Sequence, residues 1–453
     1  MPHPASPGHA RTRGAVPRLA AAAAVALVAG AAVGLLSARD VTRPASAEPL
    51  DTGSPVAAVA TASATAEEPD AAASSPATAS PTPTPSPEPE PVRFTLVAAG
   101  DVLPHTPVND SARTADGYDY TALMKGVKRY IAGADLALCH MEVPVSPAGV
   151  EASGYPLFSA PKELVRDLGK VGWDGCSTAS NHTVDRGTAG VEATLAAFDA
   201  AGLQHSGSAR TKKEAATTAM YEVTSGDRTV TVANISFAYG TNGMPVASPW
   251  QVGLFDADDA DAGPIIEAAK KARNQGADVV IASVHCCVEY RTEPTDAQRS
   301  IATQIAQSGL VDLYVGHHAH VPQPIELLPG GPSGNGMWTA FGLGNFLSNQ
   351  GTQCCVAATS NGVLLSAAFT VDPDGEVAVD AAWTATTVDR LDRHAMHVLT
   401  NIRDGAGTLS AAEVSSRLAA VRDAVGDEAP MRRKPVTSLA DDVVVVPRTP
   451  SGA

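Results

Sequence analysis

Basic residues are scarce in this sequence. Thirty-two Lys and Arg stand against 48 Asp and Glu in 453 residues, a formal net charge of −16. Neutralising a phosphate backbone needs a basic face, so nucleic acid is excluded as a partner. A phosphorylated substrate is not excluded, because bound cations invert the local field. Cysteine is sparse too: six residues, none at zinc-finger spacing. They are Cys139, Cys176 and two adjacent doublets, Cys286-Cys287 and Cys354-Cys355. No internal repeat is present.

What is there begins with an address. Arg11, Arg13 and Arg18 precede an apolar run from Leu19 to Leu36. A basic flank before such a run sends the following chain out of the cytoplasm. Residues 1–18 therefore read as a cytoplasmic basic segment and 19–37 as a signal anchor or signal peptide. The run's length lies between the two. Ala45-Ser46-Ala47 offers a cleavage site, set far beyond the run, and no cysteine follows to carry a lipoprotein anchor. Residues 38–91 are rich in Ala, Ser, Thr and Pro and close on alternating prolines from Pro81 to Pro91. Such a segment buries no core and favours extended polyproline geometry, so it reads as a stalk. The expected location is outside the cytoplasm, anchored to the cell membrane or secreted. In an oxidising compartment the cysteines are free to pair.

From Val92 onward short apolar runs alternate with amphipathic patterns, which predicts an α/β layered domain over 92–390. Strands are expected at 94–99, 135–139, 173–179, 230–237, 279–284, 311–315, 337–342, 363–371 and 377–384. Helices are expected at 188–201, 264–275 and 296–308. Residues 391–453 read as a C-terminal segment with a helix near 411–425 and then a polar tail.

The chemistry sits where the strands stop. The first ends in Gly100-Asp101, the second in His140-Met141-Glu142, and the third in Ser180-Asn181-His182 with Asp185 beyond. Later ones end at His285 and at Gly316-His317-His318-Ala319-His320. Open sheets bind ligands outside the carboxyl ends of their strands, so these segments converge despite their separation. On an extended segment His318 and His320 face one side and reach one ion together. Mixed imidazole, carboxylate and amide ligation suits Mn, Fe or Zn, one ion or two.

These blocks, with Val288-Glu289-Tyr290, Val321-Pro322-Gln323-Pro324-Ile325-Glu326 and Gly342-Leu343-Gly344-Asn345-Phe346, resemble the CapA family. Those are the poly-gamma-glutamate capsule synthesis proteins of the metallophosphatase superfamily. The resemblance covers roughly residues 92–389 in the family's order. It implies a four-layer α/β/β/α sandwich with the metal centre at one edge. Position by position it implies Asp101, Glu142, Asn181, His285, His318 and His320 as metal ligands. It implies His182 as the acid that protonates a leaving group, with Asp185 as its partner. The implied partners are an anionic cell-surface polymer or phosphoester substrate and subunits of a membrane polymer synthase. The implied reaction is phosphoester hydrolysis or transfer.

The sequence departs from the family in several places. Leu103 stands where superfamily phosphoesterases carry a histidine, and His105 is a candidate substitute. His140-Met141-Glu142 replaces Asn-Leu-Glu, making His140 either a ligand or a residue behind the ligands. Cys286-Cys287 replaces Trp-Gly. One of these thiols is expected to pair with Cys354 or Cys355 and pin two rim loops; the alternative is a pair of thiols that alters metal choice. Cys139 and Cys176 read as buried thiols or a buried pair. Glu289 is expected to orient His285, and Phe346 to pack in a wall. Two other readings stay open: a non-catalytic scaffold subunit of a polymer synthase, and a general cell-surface metallophosphoesterase.

Overall fold

The computed structural model describes residues 89–448. The basic segment, the apolar run and nearly all of the stalk lie outside the described residues. No helix among the described residues is long and apolar enough to cross a membrane.

Two mixed sheets form the domain. The first runs edge to edge as Ala395–Val398, Val377–Asp389, Asn361–Val371, Val92–Leu103, Leu136–Met141, Gly175–Ser177 and Gln204–Ser206. Asn345–Ser348 pairs in parallel with the far end of Val92–Leu103. The second runs as Ile325–Leu328, Met337–Ala340, Leu313–His317, Val279–His285, Arg228–Ala238, Ala219–Ser225 and Asp442–Val446.

Side-chain alternation explains the layering. Successive residues of a strand point to opposite faces. Phe94, Leu96, Leu136 and Leu138 of the first sheet meet Val232, Ile281, Leu313 and Val315 of the second in one inter-sheet core. Their neighbours Val97, Ala99, Cys139 and Cys176 point the other way, onto helices Glu163–Val171 and Gly187–Ala201 through Leu164, Leu168 and Phe198. Val280, Ala282 and Val284 face Ile265, Ala269, Ile301 and Ile305 of helices Gly263–Asn274 and Asp296–Gln307. The result is the helix/sheet/sheet/helix sandwich that the family resemblance implies.

The entry to each of four parallel strands carries the same device. Asp135, Asp174, Asp278 and Asp312 each stand just before a strand. Each accepts the backbone N–H of a neighbouring strand on Oδ2 at 2.7 Å, from Thr95, Ala137, Thr231 and Val280 respectively. Each donates its own N–H back to the carbonyl of that same residue, at 2.8–3.1 Å. These reciprocal pairs fix where each strand begins, at the edge away from the candidate ligands.

Asp174 shows the cost of this device. Burial pushes its carboxyl up to about 6, against the Ala137 amide that pulls it down. The folded state therefore holds a proton that the unfolded chain has lost between pH 4 and 6, and stability falls as pH rises through that window. Asp174→Asn keeps an acceptor for the amide and removes the ionisation. The variant should gain about 1–2 kcal/mol at pH 7 relative to pH 4, read as a flatter melting-temperature profile between those values. A profile that matches wild type rules this assignment out.

The C-terminal segment departs from expectation in one respect. Helix Ala411–Val425 forms as predicted and buries Val414, Val421 and Val425 in the inter-sheet core. The expected polar tail instead supplies Asp442–Val446, which pairs antiparallel with Ala219–Ser225 and closes the second sheet's edge. Helix Glu163–Val171 and strand Ala219–Ser225 were absent from the sequence reading. The helix has a clear signal in Leu164, Val165, Leu168 and Val171, and it stops at Gly172 in a left-handed conformation.

Candidate metal and phosphoester centre

Glycines bring the ligand strands together. A Cβ on Gly100 would collide with the Gly344 carbonyl, and one on Gly316 with that of Phe341. With neither present, the Asp101 amide donates to Gly344 O at 2.9 Å. The pairing register also shifts on either side of Asp101, a bulge of the kind that re-aims a side chain. Asp101 then lies opposite His140 in one neighbour and Asn345 in the other, while His317 lies opposite His285 in the second sheet. The ends of the two sheets' strands thereby face one another.

Asp101, Glu142 and His320 form the heart of the site, all buried, with ligand atoms within 4.8 Å of one another. Asp101 Oδ2 lies 3.0 Å from His320 Nδ1, and Glu142 Oε1 lies 3.7 Å from His320 Nε2. Neither Glu142 oxygen has a hydrogen-bond partner. His318, His320 and Glu289 make a second such group, and Asp101, His140 and His317 a third.

The His318-Ala319-His320 segment is not the extended run that was expected. The strand ends at His317, and His318 and His320 adopt left-handed backbone angles, φ +83° and +56°. Such angles are costly for residues with a Cβ and concentrate at functional sites. Both imidazoles still turn toward one place, with ring centroids 5.9 Å apart.

Beside this cluster lies the predicted acid pair. His182 Nδ1 meets Asp185 Oδ2 at 2.8 Å, and the same oxygen accepts the Phe158 amide at 2.7 Å. The carboxylate is held on two sides and fixes the imidazole's tautomer, leaving Nε2 as the working nitrogen. Phe158 stands edge-on to the ring at 4.7 Å. The Ser180 hydroxyl ties the turn that carries His182 to the backbone carbonyl of Glu142.

Asn181 and His285, the other two expected ligands, lie side by side next to His318. Asn181 Oδ1 meets His285 Nε2 at 3.0 Å, His285 Nδ1 meets His140 Nε2 at 2.9 Å, and His140 Nδ1 meets the Ser177 hydroxyl at 2.7 Å. They form a chain of contacts that borders the cluster on two sides, through His140 and through His318, whose ring centroid lies 4.7 Å from that of His285. Glu289 approaches His320 Nε2 at 3.6 Å, so the residue it flanks is His320 and not His285. His105 turns its Nδ1 to the Leu103 carbonyl at 3.0 Å and joins no ligand group, so it does not replace the ligand missing at the buried Leu103. Phe346 packs edge-on against Trp173 in the core, as expected. The cysteines pair Cys139 with Cys176, Cys286 with Cys287, and Cys354 with Cys355. Each doublet closes on itself, so no disulfide pins one rim loop to the other. His317 was not among the expected ligands; its signal was its place at the last position of the strand, level with His285.

Electrostatics divide the cluster. Burial works against ionisation of Asp101, yet the imidazoles of His317 and His320 outweigh it and hold the carboxyl well below its usual range. The His317 approach, at 3.6 Å, is too long for a hydrogen bond, so its part is electrostatic. Burial pushes Glu142 well up, with His320 opposing. Burial also pulls His320 down, but Glu142 and Asp101 outweigh it and raise it. Glu142 and His320 compete for one proton, while Asp101 stays ionised. Burial lowers His140 and His285 well below the ordinary value and His318 to about 4, so all three are neutral at neutral pH.

The donor set fits a divalent cation. Buried carboxylates without donors are costly, and buried charges are normally paired or bound to metal. Neutral imidazoles beside carboxylates suit first-row divalent ions.

A family model described as "Bacterial capsule synthesis protein PGA_cap" matches residues 95–350. A Bacillus subtilis (strain 168) protein named PGA biosynthesis protein CapA is 32% identical over 190 residues, 42% of this chain and 46% of that protein. A Mycobacterium tuberculosis (strain CDC 1551 / Oshkosh) protein named a probable polyglutamine synthesis accessory protein is 28% identical over 207 residues, 44% of this chain and 53% of that protein. The chain thus matches about half the length of these curated relatives. A crystal structure of a calcineurin-like phosphoesterase from Bacillus subtilis superposes with a TM-score of 0.37 at 14% identity, covering 73% of this chain and 97% of the other.

Proposed function

The chain belongs to the bacterial capsule synthesis protein PGA_cap family, and from that membership we propose an exported, metal-dependent phosphoesterase acting in the synthesis or export of poly-gamma-glutamate or a similar anionic surface polymer. The observation that carries the chemistry is Glu142, fully buried with both oxygens unpartnered beside Asp101 and His320. Export rests on the basic flank and apolar run of residues 11–36. The polymer rests on family membership and on the named role of the Bacillus subtilis relative.

Asp101, Glu142 and His320 would hold the ion, with His318 and Glu289 beside them. When bound, the ion supplies a positive centre that polarises a phosphoryl oxygen and lowers the pKa of water. Asp185 orients His182 through Nδ1, and His182 delivers a proton from Nε2 to the departing alkoxide. The Tyr239 ring, 4.7 Å from that of His318, shapes one wall.

A scaffold reading is favoured by one observation: Leu103, at the position where superfamily phosphoesterases carry a histidine, is buried hydrophobic core. Purified full-length chain loaded in parallel with Mn2+, Fe2+ or Zn2+ and assayed on alkyl phosphomonoesters and phosphodiesters separates the two. Turnover that chelation removes and metal restores is the expected result. Metal uptake with no turnover on any ester in the panel would hand the assignment to the scaffold.

A further inference from the structure

We propose that a cavity at the edge of the second sheet binds a small organic anion, a molecule with one acidic group on an apolar or aromatic body. The site is separate from the metal and phosphoester centre and does not depend on its chemistry.

The cavity follows from a strand that begins late. Ala219–Ser225 first pairs at Ala219, opposite Asn234, whereas its neighbour Arg228–Ala238 runs on through Ile235, Ser236 and Phe237. At Ala238 a different segment takes over, and the Gly253 carbonyl accepts the Ala238 amide at 2.9 Å. Between these two covers a cavity of about 330 Å³ opens against Ile235, Ser236 and Phe237. That is the size of a small-molecule site, too small for a folded partner. Helix Gly263–Asn274 contributes Ala268 and Lys271, three residues apart and therefore on one face. Trp250 and Leu254 line it from the covering segment, and Arg448, just past strand Asp442–Val446, from the C-terminal end.

Charge selects the ligand. The chain carries 48 acidic residues against 32 basic ones, yet Lys271 and Arg448 line this cavity and no Asp or Glu does among the described residues. Arg448 has its donors committed. Nε donates to the Thr217 carbonyl at 3.2 Å, Nη1 to those of His205 at 3.0 Å and Ser208 at 3.2 Å, and Nη2 to that of Glu214 at 2.8 Å. Carbonyls fix the guanidinium in place but leave its charge unneutralised. The carboxylates that act on it, Glu214 and Asp199, are themselves paired with Arg210.

Lys271 has donors left to give. An ammonium carries three protons, and its Nζ meets one acceptor, the Ala215 carbonyl at 3.2 Å. Burial, and after it the Arg448 charge, pulls its pKa below the ordinary value. A half-buried cation beside a second cation gains most from an anion placed between them. The rest of the ligand is set by the walls. Trp250, Phe237, Ile235 and Leu254 offer aromatic and apolar surface, which an inorganic ion would leave uncovered. None of the lining residues belongs to the metal-ligand groups or to the His182–Asp185 pair.

Isothermal titration calorimetry on purified full-length chain, dialysed against EDTA so that no metal offers a competing anion site, is the test. Phenylacetate and phenylphosphonate carry both the charge and the body. Benzylammonium carries the body with the opposite charge, and inorganic phosphate the charge alone. The two aromatic anions should bind at a single site with dissociation constants below about 1 mM. Benzylammonium and phosphate should bind at least about 10-fold more weakly. Lys271→Met, which keeps the stem and removes the ammonium, should weaken both aromatic anions by at least about 10-fold. Lys271→Gln is the second variant, with circular dichroism as the check on folding. Failure of both aromatic anions to bind wild type overturns the proposal even if no variant folds. Benzylammonium or phosphate binding as tightly as phenylacetate also overturns it, and so does full-strength binding in the folded Lys271 variants. The readout needs neither metal nor turnover, so its failure leaves the proposed function standing, and a chain without turnover leaves this site standing.

Discussion

His182→Ala should lower turnover of alkyl phosphoesters by about 10²- to 10³-fold and leave metal content unchanged. The reason is positional. His182 joins none of the ligand groups, and its one side-chain partner is Asp185, so its loss removes a proton donor without disturbing the carboxylates. The size of the deficit should depend on the leaving group. An alkoxide needs its proton in the transition state, whereas a p-nitrophenolate leaves well without one. The variant should therefore recover most of its lost rate on p-nitrophenyl esters. Asp185→Asn should have a smaller effect in the same direction, about 10-fold, because the amide keeps a contact to Nδ1 while it loses the charge that stabilises the imidazolium. Wild-type rates on alkyl esters in His182→Ala, or an equal deficit for both leaving groups, would remove His182 from the mechanism.

Glu142→Gln should abolish tight metal binding at the Asp101–Glu142–His320 group, with a loss of at least about 100-fold in affinity. The effect on stability should have opposite signs with and without metal. In metal-free protein the substitution removes a buried carboxylate that no donor satisfies, so the apoprotein should melt at the same or a higher temperature. In wild type, metal at a few hundred times its dissociation constant adds about 3–4 kcal/mol, and this gain should vanish at that position in the variant. Melting curves with and without Zn2+ on both proteins give the four numbers required. A variant that keeps the full metal-induced rise would show that the ion sits elsewhere. A drop in the stability of the apoprotein would show that Glu142 has a structural partner among the protein's own groups.

Much of the architecture was legible because its periodicity is strong. Val279, Ile281 and their neighbours alternate between two buried faces, and the Gly263–Asn274 and Asp296–Gln307 helices open on Pro264 and on a Thr295 capping box. The Asp442–Val446 strand was not legible. Its burial is partial, and its one sheet neighbour, Ala219–Ser225, lies over 200 residues earlier in the chain. Its four valines favour an extended chain, but the partner that makes it a sheet strand is set by tertiary pairing.

The site was legible as a set of strand ends and not as a contact map. Asp101, Glu142 and His320 come together as expected, and so do His182 and Asp185. The turn of His285 toward His140, the approach of Glu289 to His320, and the burial of His317 beside Asp101 depend on rotamers and on how the two sheets face each other. Spacing along the chain holds no information about either. The left-handed angles of His318 and His320 likewise cannot be read from residue types that disfavour them. The cysteine doublets misled for a related reason: a neighbour in sequence proved a nearer partner than a neighbour in space.

The aspartate pairs at the strand entries have a consequence for how this fold tolerates change. Asp135 precedes His140, Asp278 precedes His285 and Asp312 precedes His317, each on a single uninterrupted strand, and Asp174 precedes Gly175–Ser177, whose last residue carries the hydroxyl that holds His140. With the start of every stretch tethered to its neighbour, the position of the side chain at its end is set by counting residues. Deleting one residue inside such a stretch would swing the terminal side chain to the opposite face. Insertions before the aspartate would leave the count untouched. The loops at that edge are thus insulated from the chemistry, and they are where the domain has room to acquire length, tags or new contacts while its reactive edge stays the same.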